Sequence, residues 1–477
     1  MQYVLPRIKL SKSLLDTDGI VYISIDDSEV SNLRKICDEV FGESNFIAQL
    51  VWQNKKGGGN DAKYFAIEHE YILAYAKNKD ALCEFYEKYS EEYARRYKEE
   101  DAQGKYFWDT LKRKIGKQYY PIVCPDGSVL QYDKDGNAIS WLRSESRFLR
   151  DKESGEIKFE KKDGEGWSVF FKQRMPKGKT PRSLIETVEI ISDQGTTSDG
   201  TANVYDYFKK HVFSNPKPIS LLTFLMQFGV CDGDIVVDFF SGSATTADAL
   251  LRYNAENGCK ARYVLVQLKE DLDDNLAHAS DDNARLVLNN AIAVLDELHR
   301  PHLLTEIAKE RIRRAGKKIA EENATNAPNL DIGFRVLKLD SSSLNDTSAT
   351  VNETDQKFEN FDRIKSDRSS EDLLFQMLLE THIPLSDKIA KTTVGGNEVF
   401  VVGAGYDGEG AAVTQEAPLV ACLDAKAKMT SEFFMEVAKL KPGIAFFRDD
   451  AFAEDSARTN LQQAFNQFSP GTSIKVI

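Results

Sequence analysis

The sequence predicts an α/β protein built on a parallel sheet, interrupted by a chemically distinct domain and followed by a small second α/β unit. Residues 234–240 (DIVVDFF) and 261–268 (ARYVLVQL) are largely apolar, buried-type strand segments joined by a glycine-bearing loop and a helical stretch. Strand, helix and strand in that order argue for a parallel sheet with both faces covered. Residues 80–200 are dominated instead by Tyr, Lys, Arg and Glu, the composition of a separate domain. Beyond residue 371 the runs VFVVG, PLVACLD and GIAFFRD alternate with helical stretches, which predicts the small C-terminal α/β domain.

Along the chain, DGIVYISID (18–26) is a strand, and Val30, Leu33, Ile36, Cys37 and Val40 then recur at helical spacing over Ser28–Phe41. Phe46–Trp52 and Glu70–Ala76 are further strands. Between them lies Lys55-Lys-Gly-Gly-Gly-Asn60, whose glycines suit either a flexible loop or a close approach to a ligand. GKYFWDTLKRK (104–114) interleaves aromatic and basic side chains, a surface suited to bases and phosphates. Gly178-Lys179-Thr180 has the tail of a phosphate-binding loop, but Gln173 stands where that motif needs glycine. Asn215-Pro-Lys-Pro218 turns into an amphipathic helix over Ile219–Phe228, and helices continue through Asn283–Leu298 and Leu303–Glu322. Glu322–Asn329 has linker composition, and Ser341–Ser370 is polar enough to be partly disordered. The expected organisation is therefore one domain in two parts, 1–79 and 206–322, around an insert at 80–205, then a linker at 323–370 and a final domain at 371–477.

A chain of 477 residues implies two or three domains, and its 42% hydrophobic and 29% charged content is that of a soluble globular protein. It holds no run of eighteen apolar residues and no signal-peptide core at its start, which points away from the membrane and to the cytosol. Six cysteines and six histidines are scattered without metal-ligand spacing, so neither disulfides nor a metal centre are expected. The net charge of −13 excludes a protein that coats nucleic acid indiscriminately. Residues 331–477 carry 15 Lys and Arg against 23 Asp and Glu, leaving −5 for the rest. Within that rest, Lys105–Lys117 and Lys172–Arg182 are basic clusters able to hold phosphates, with a plain solvated surface as the alternative. The candidate phosphate contacts, which would be DNA contacts under the resemblance given below, are Lys112, Arg113, Lys114, Lys172, Arg174, Lys177, Lys179 and Arg182.

In open α/β sheets ligands sit beyond the carboxyl ends of strands. Asp238, Phe240, Gly242 and Ser243 of DFFSGSATTADAL (238–250) occupy that position. The dinucleotide fingerprint is missing, because residues 244–247 are Ala-Thr-Thr-Ala, so a pyrophosphate is not the obvious guest. A short loop after a strand-end carboxylate suits a nucleoside such as S-adenosylmethionine (AdoMet), or a tight turn with no ligand at all.

NPKPISLLTFL (215–225), DIVVDFFSGSATTADALL (234–251) and RYVLVQLKE (262–270) together resemble the cofactor half of the β-class amino-methyltransferases of DNA. RIKLSKSLLDTDGIVYISIDDSEVSNLRKICDEVFGESNFI (7–47), KYFAIEHEYILAYAKNK (63–79), AKERIRRAGKKI (308–319), GFRVLKLDSSS (333–343) and AFFRDDAFAEDSARTNLQQAF (445–465) resemble the Mod subunits of type III restriction-modification systems. The resemblance implies a Rossmann-like AdoMet-dependent methyltransferase sheet, with 80–205 as the target-recognition domain and the C-terminal domain contacting partner subunits. It also implies adenine-N6 methylation of double-stranded DNA, a restriction (Res, helicase-nuclease) subunit as partner, and a Mod homodimer. The cofactor residues it implies are Lys217, Pro218, Asp238, Phe240, Gly242, Ser243, Thr245, Gln267 and, as the weaker candidate, Glu270. Gln267 stands where many relatives place a glutamate for the ribose hydroxyls.

Two departures bear on function. The family acts on the amine of a flipped base through Asp/Asn-Pro-Pro-Tyr, yet none of the 13 prolines here adjoins another, so no catalytic residue can be named. In relatives that strand precedes the segment resembling Tyr3–Leu15, which leads us to expect a chain beginning after its own catalytic strand. The loop also has Ala244 where a second glycine is usual, harmless at negative φ and strained at positive φ. Three readings follow: an adenine-N6 methyltransferase chain lacking its N-terminal part, a silent remnant that still recognises DNA or docks a partner, and, more distantly, an N4-cytosine methyltransferase.

Overall fold

The computed structural model describes residues 4–57, 63–87, 89, 91–162, 166–185, 195–325, 330–345, 364–403 and 417–477. The chain divides into two compact units, Met1–Gly333 and Phe334–Ile477. Gly58, Gly59 and Asn60 of the glycine run lie outside the described residues.

The first unit opens with α1 (Val4–Leu14), β1 (Ile20–Ile25), α2 (Val30–Phe41), β2 (Phe46–Gln53) and β3 (His69–Ala76). With β8 (Leu184–Ile185) these strands form a sheet in the order β1-β3-β2-β8, antiparallel except at the β2–β8 junction. The YILAYA run of β3 is apolar throughout because both its faces are covered. Leu73 and Tyr75 pack against Ile8, Leu33, Cys37 and Phe41 of α1 and α2. Ile72 lies with Trp52 and Ile185 against Leu221, Phe224 and Leu225 of α5 (Ile219–Met226) on the other face.

The insert forms its own antiparallel sheet from β4 (Glu99–Asp101), β5 (Gly104–Thr110), β6 (Ile157–Lys162) and β7 (Gly166–Arg174), in the order β6-β7-β5-β4. Its core gathers Leu111, Tyr120, Trp141, Phe148 and Phe171, with Phe148 supplied by α3 (Glu145–Glu153). The chain returns to the first sheet through β8 and continues with α4 (Thr197–Phe208) and α5.

Next come β9 (Ile235–Asp238), α6 (Thr245–Asn257) and β10 (Arg262–Leu265), with β9 and β10 paired in parallel. The expected order of elements is present, but both strands are shorter than the apolar runs. The expectation of two covered faces also needs correction. Val236 and Tyr263 pack on Ala249, Leu250 and Tyr253 of α6, whereas Ile235 (53% exposed), Val237, Val264, Val266 and Leu268 (68%) face away. A largely apolar run cannot distinguish a strand covered on both faces from one with helices on a single face. The unit closes with α7 (Leu272–His278), α8 (Asp282–Glu297) and α9 (Leu304–Glu322).

The second unit is a five-stranded sheet of β11 (Ile389–Val394), β12 (Asn397–Val402), β13 (Leu419–Cys422), β14 (Ile444–Phe447) and β15 (Ser473–Val476), joined in that order. The first two junctions are antiparallel and the last two parallel. Leu374 and Leu378 of α10 (Ser370–Glu380) cover one face; Phe433 and Phe434 of α11 (Ser431–Lys439) and Phe465 of α12 (Asp455–Phe468) cover the other. Part of the stretch expected to be linker contributes here, since Leu344 bridges Ile364 and Ile364 is buried with Leu374 and Leu378. Apolar Leu344 and Ile364 lie within an otherwise polar segment, which the composition averaged away; residues 326–329 and 346–363 lie outside the described residues. Among the described residues no helix is long and apolar enough to cross a membrane.

Candidate functional site

The turn between β9 and α6 is held by its own side chains. Asp238, ending β9, accepts the amide N–H of Phe240 on Oδ1 at 3.0 Å and the hydroxyl of Thr246 on Oδ2 at 2.5 Å. Ser241 N–H donates to the Val266 carbonyl at 3.2 Å, and Ala244 N–H to the Ser241 carbonyl at 2.7 Å. Gly242 has φ +49°, and a Cβ there would lie 3.1 Å from the Phe213 ring, so the position admits glycine on two counts. Its N–H donates to Gln267 Oε1 at 2.8 Å, and Gln267 Nε2 donates to Glu270 Oε1 at 2.9 Å. Glu270 is exposed, its backbone carbonyl held by Leu304 N–H at 3.0 Å. The Phe240 ring, 65% exposed, stands at the mouth of the loop with the Arg7 guanidinium 5.7 Å from its centroid.

Ala244 has φ +61° and ψ +36°, the left-handed region, immediately before the first turn of α6. The condition for strain at this departure from the family is therefore met, at a cost of about 1 kcal/mol for an L-residue.

Two of the expected cofactor side chains point elsewhere. Ser243 and Thr245 are buried, and both hydroxyls accept from Arg311 Nη1 at 2.8 Å. Arg311, on α9, is itself fully buried and needs those acceptors, which holds the two hydroxyls toward α9. The pattern of the sequence does not single out Arg311. Its only trace there is a basic residue within the apolar spacing of Ile307, Ile312 and Ala315.

Lys217 forms an ion pair with Glu70 Oε2 and stands 4.6 Å from the Trp52 ring centroid. Glu70 Oε1 in turn accepts from Asn54 Nδ2 at 2.8 Å. That contact fixes the amide's orientation and leaves Asn54 Oδ1 buried with no hydrogen-bond partner among the described residues. Trp52 Nε1 donates to the Gly195 carbonyl at 2.9 Å. A Cβ on Gly195 would meet Pro218 at 2.9 Å, so the strand end carrying Trp52 and Asn54 is tied to the Lys217-Pro218 turn.

The DNA methylase family of N6 and N4 amino-methyltransferases matches residues 1–313. The chain belongs to this family. Among its relatives, the type III restriction-modification enzyme StyLTI Mod subunit of Salmonella typhimurium is 29% identical over 346 residues, covering 70% of this chain and 47% of the relative. The EcoPI Mod subunit of Escherichia phage P1 is 27% identical over 364 residues, covering 71% of this chain and 52% of the relative. The chain thus spans about half the length of the curated relatives it matches. Among solved structures, PvuII DNA methyltransferase (cytosine-N4-specific) aligns at 12% identity and a TM-score of 0.28, covering 62% of this chain and 76% of that one. A DNA modification methylase of Thermus thermophilus, complexed with S-adenosyl-L-methionine, aligns at the same identity and over the same shares with a TM-score of 0.25.

The residues at the DNA methylase loop fit AdoMet. An exposed carboxylate at Glu270 can accept from ribose hydroxyls, and the exposed Phe240 ring can lie against a purine. The Gly242 turn lets backbone approach without a Cβ, and the Lys217–Glu70 pair offers both signs of charge to an amino-acid zwitterion. Asp238 braces the loop, with both oxygens engaged by Phe240 and Thr246.

The expected DNA contacts divide into two groups. Lys172 and Arg174 are drawn inward: Arg174 Nη1 lies 2.7 Å from Asp101 and Nη2 2.5 Å from Glu156, while Lys172 Nζ is 2.7 Å from Asp101. These bonds from Arg174 and then Lys172 hold the Asp101 carboxyl well below the usual range. Their positions on β7 pair them with carboxylates of the insert's own fold. Arg113 pairs with Asp109 at 3.0 Å. Lys112, Lys114, Lys177, Lys179 and Arg182 are exposed. Among the described residues no group of three or more His, Cys, Asp or Glu side chains is placed to hold a metal ion.

Proposed function

We propose that this chain is the cofactor-binding and DNA-recognising part of a site-specific, adenine-N6 DNA methyltransferase of the type III Mod kind, acting in the cytosol. The observation that carries the reading is the Gly242–Gln267–Glu270 relay, which presents a carboxylate at the end of β10 beside a turn that excludes side chains. When bound, AdoMet supplies an electrophilic methyl group. Glu270 takes the ribose hydroxyls, Phe240 covers the purine, the Gly242 backbone lies under the nucleoside, and Lys217 with Glu70 holds the amino-acid end. Lys112, Lys114, Lys177, Lys179 and Arg182 of the insert hold phosphates of double-stranded DNA, and the 371–477 unit meets a helicase-nuclease Res subunit in an assembly built on a Mod homodimer. The preference for adenine over cytosine rests on the resemblance of the sequence to type III Mod subunits.

These residues include no Asp/Asn-Pro-Pro-Tyr, so we expect AdoMet binding without methyl transfer by the 477-residue chain alone. Calorimetry with AdoMet on wild type, Gly242→Val and Glu270→Gln tests the first part, and equal binding by all three would refute the site. Incubation with AdoMet and duplex DNA, followed by detection of N6-methyladenine, tests the second. A methylated product would show that another oxygen does the work of the missing motif.

A further inference from the structure

A fully buried cation sits against the strained turn of the cofactor loop. Arg311 extends from α9 and has 0% exposed surface. Its Nη1 donates to the Ser243 carbonyl at 3.3 Å, to Ser243 Oγ at 2.8 Å and to Thr245 Oγ1 at 2.8 Å. Its Nε and Nη2 reach Asp248 Oδ2 at 3.3 and 3.1 Å. These acceptors lie on the two residues flanking Ala244 and on the first turn of α6. Asp248 is also fully buried, and its other oxygen accepts from the Tyr207 hydroxyl and Arg252 Nε, each at 3.1 Å.

We propose that Arg311 is a positioning residue for the cofactor. It clamps residues 243–245 so that Ala244 stays in the left-handed region and the Gly242–Gln267 bond and the start of α6 keep their places in the cofactor loop. Charge balance alone asks only for the contact with Asp248. A guanidinium presents donors in a rigid fork, and burial makes each unmet donor costly, so the remaining edge dictates where the turn's oxygens must be. Glycine at 244 enters positive φ freely and needs no such clamp, whereas alanine does. Arg311 thus holds the conformation that Ala244, as an L-residue, resists.

The proposal rests on assigning the loop to AdoMet, and a four-variant cycle on the full chain separates the two. Calorimetric AdoMet affinity and melting temperature are measured for wild type, Arg311→Lys, Ala244→Gly and the double variant. Lysine keeps a cation for Asp248 but lacks the fork. We expect Arg311→Lys to bind AdoMet about tenfold more weakly and Ala244→Gly to bind within about twofold of wild type, with the double variant recovering to within about threefold, as coupling through the shared residues 243 and 245 allows. Equal binding by folded Arg311→Lys and wild type, or loss without recovery by glycine, overturns the clamp while leaving the loop assignment standing. No binding by wild type overturns both. Should Arg311→Lys not fold, Thr245→Val removes one anchor and leaves the Asp248 pair in place. Its loss of affinity must likewise be restored by Ala244→Gly, and failure to restore it refutes the clamp.

Discussion

Gln267 accepts the backbone N–H of Gly242 through one end of its amide and donates to Glu270 through the other. A glutamate at 267 could make the first bond only by the same oxygen and could not make the second, because an ionised carboxylate has no donor. The glutamine thereby links the Gly242 turn to the carboxylate three residues further along.

Gln267→Glu should accordingly impair the site rather than restore the family's usual residue. Two carboxylates would face one another across a hydrogen-bond distance, and we predict AdoMet affinity about tenfold below wild type at pH 8, with partial recovery toward pH 5 as one carboxyl takes up a proton. Titration calorimetry at the two pH values checks this. Tighter binding at pH 8 would return the ribose contact to position 267.

Ala244→Gly removes a left-handed alanine, worth about 1 kcal/mol, against the greater freedom glycine has in the unfolded chain. At φ +61° the strain term wins, and we predict that the first unit is unchanged or more stable by a fraction of that figure in urea unfolding. A loss above about 1 kcal/mol would mean that the methyl group's burial outweighs the backbone strain.

His302 sits between two carboxylates, Nδ1 2.9 Å from Asp273 and Nε2 2.9 Å from Asp296, and these bonds, Asp296 first, raise its pKa above 6.5. Both ring nitrogens must donate, so the folded state favours the imidazolium. Its contribution is complete below the unfolded value of about 6.5 and is lost as pH rises through the higher folded value. The His302 carbonyl accepts from Leu272 N–H at 2.9 Å, close to the segment carrying Glu270. We predict that wild-type stability declines relative to His302→Gln as pH rises above about 6.5. Parallel pH profiles for the two proteins would contradict it.

Among the basic residues of the insert, Arg174→Ala should lower the melting temperature by breaking the Asp101 and Glu156 ion pairs, with no change in the salt dependence of DNA binding. Replacing Lys112, Lys114 and Lys179 together by alanine should do the reverse. The slope of log affinity against log salt should shrink by roughly 0.9 for each phosphate that is no longer neutralised. Fluorescence anisotropy with a duplex across a salt series distinguishes the two. An unchanged slope in the triple variant would remove this surface from the DNA interface.

Much of this arrangement was legible in the sequence. The β9–loop–α6–β10 order, the glycine turn and the helical spacing of α2 and α9 follow from apolar periodicity and local backbone demands. Side-chain partnerships across long separations did not. Lys172 and Arg174 belong to a basic cluster in one dimension, but β7 places them opposite Asp101 and Glu156, far away in the chain. Arg311 is separated by more than sixty residues from the turn it grips. The open face of β9 and β10 was hidden for a different reason, since Val237 and Val264 look the same in sequence whether or not a helix covers them.

The assignment of AdoMet to the Gly242 turn is tested most directly by ultraviolet cross-linking of the intact chain with methyl-labelled AdoMet and mapping of the labelled peptide. We predict label within residues 234–251, centred on the exposed Phe240 ring, lost on competition with unlabelled AdoMet and strongly reduced in Gly242→Val. Competable label confined to any other segment, or no competable label at all, would contradict it.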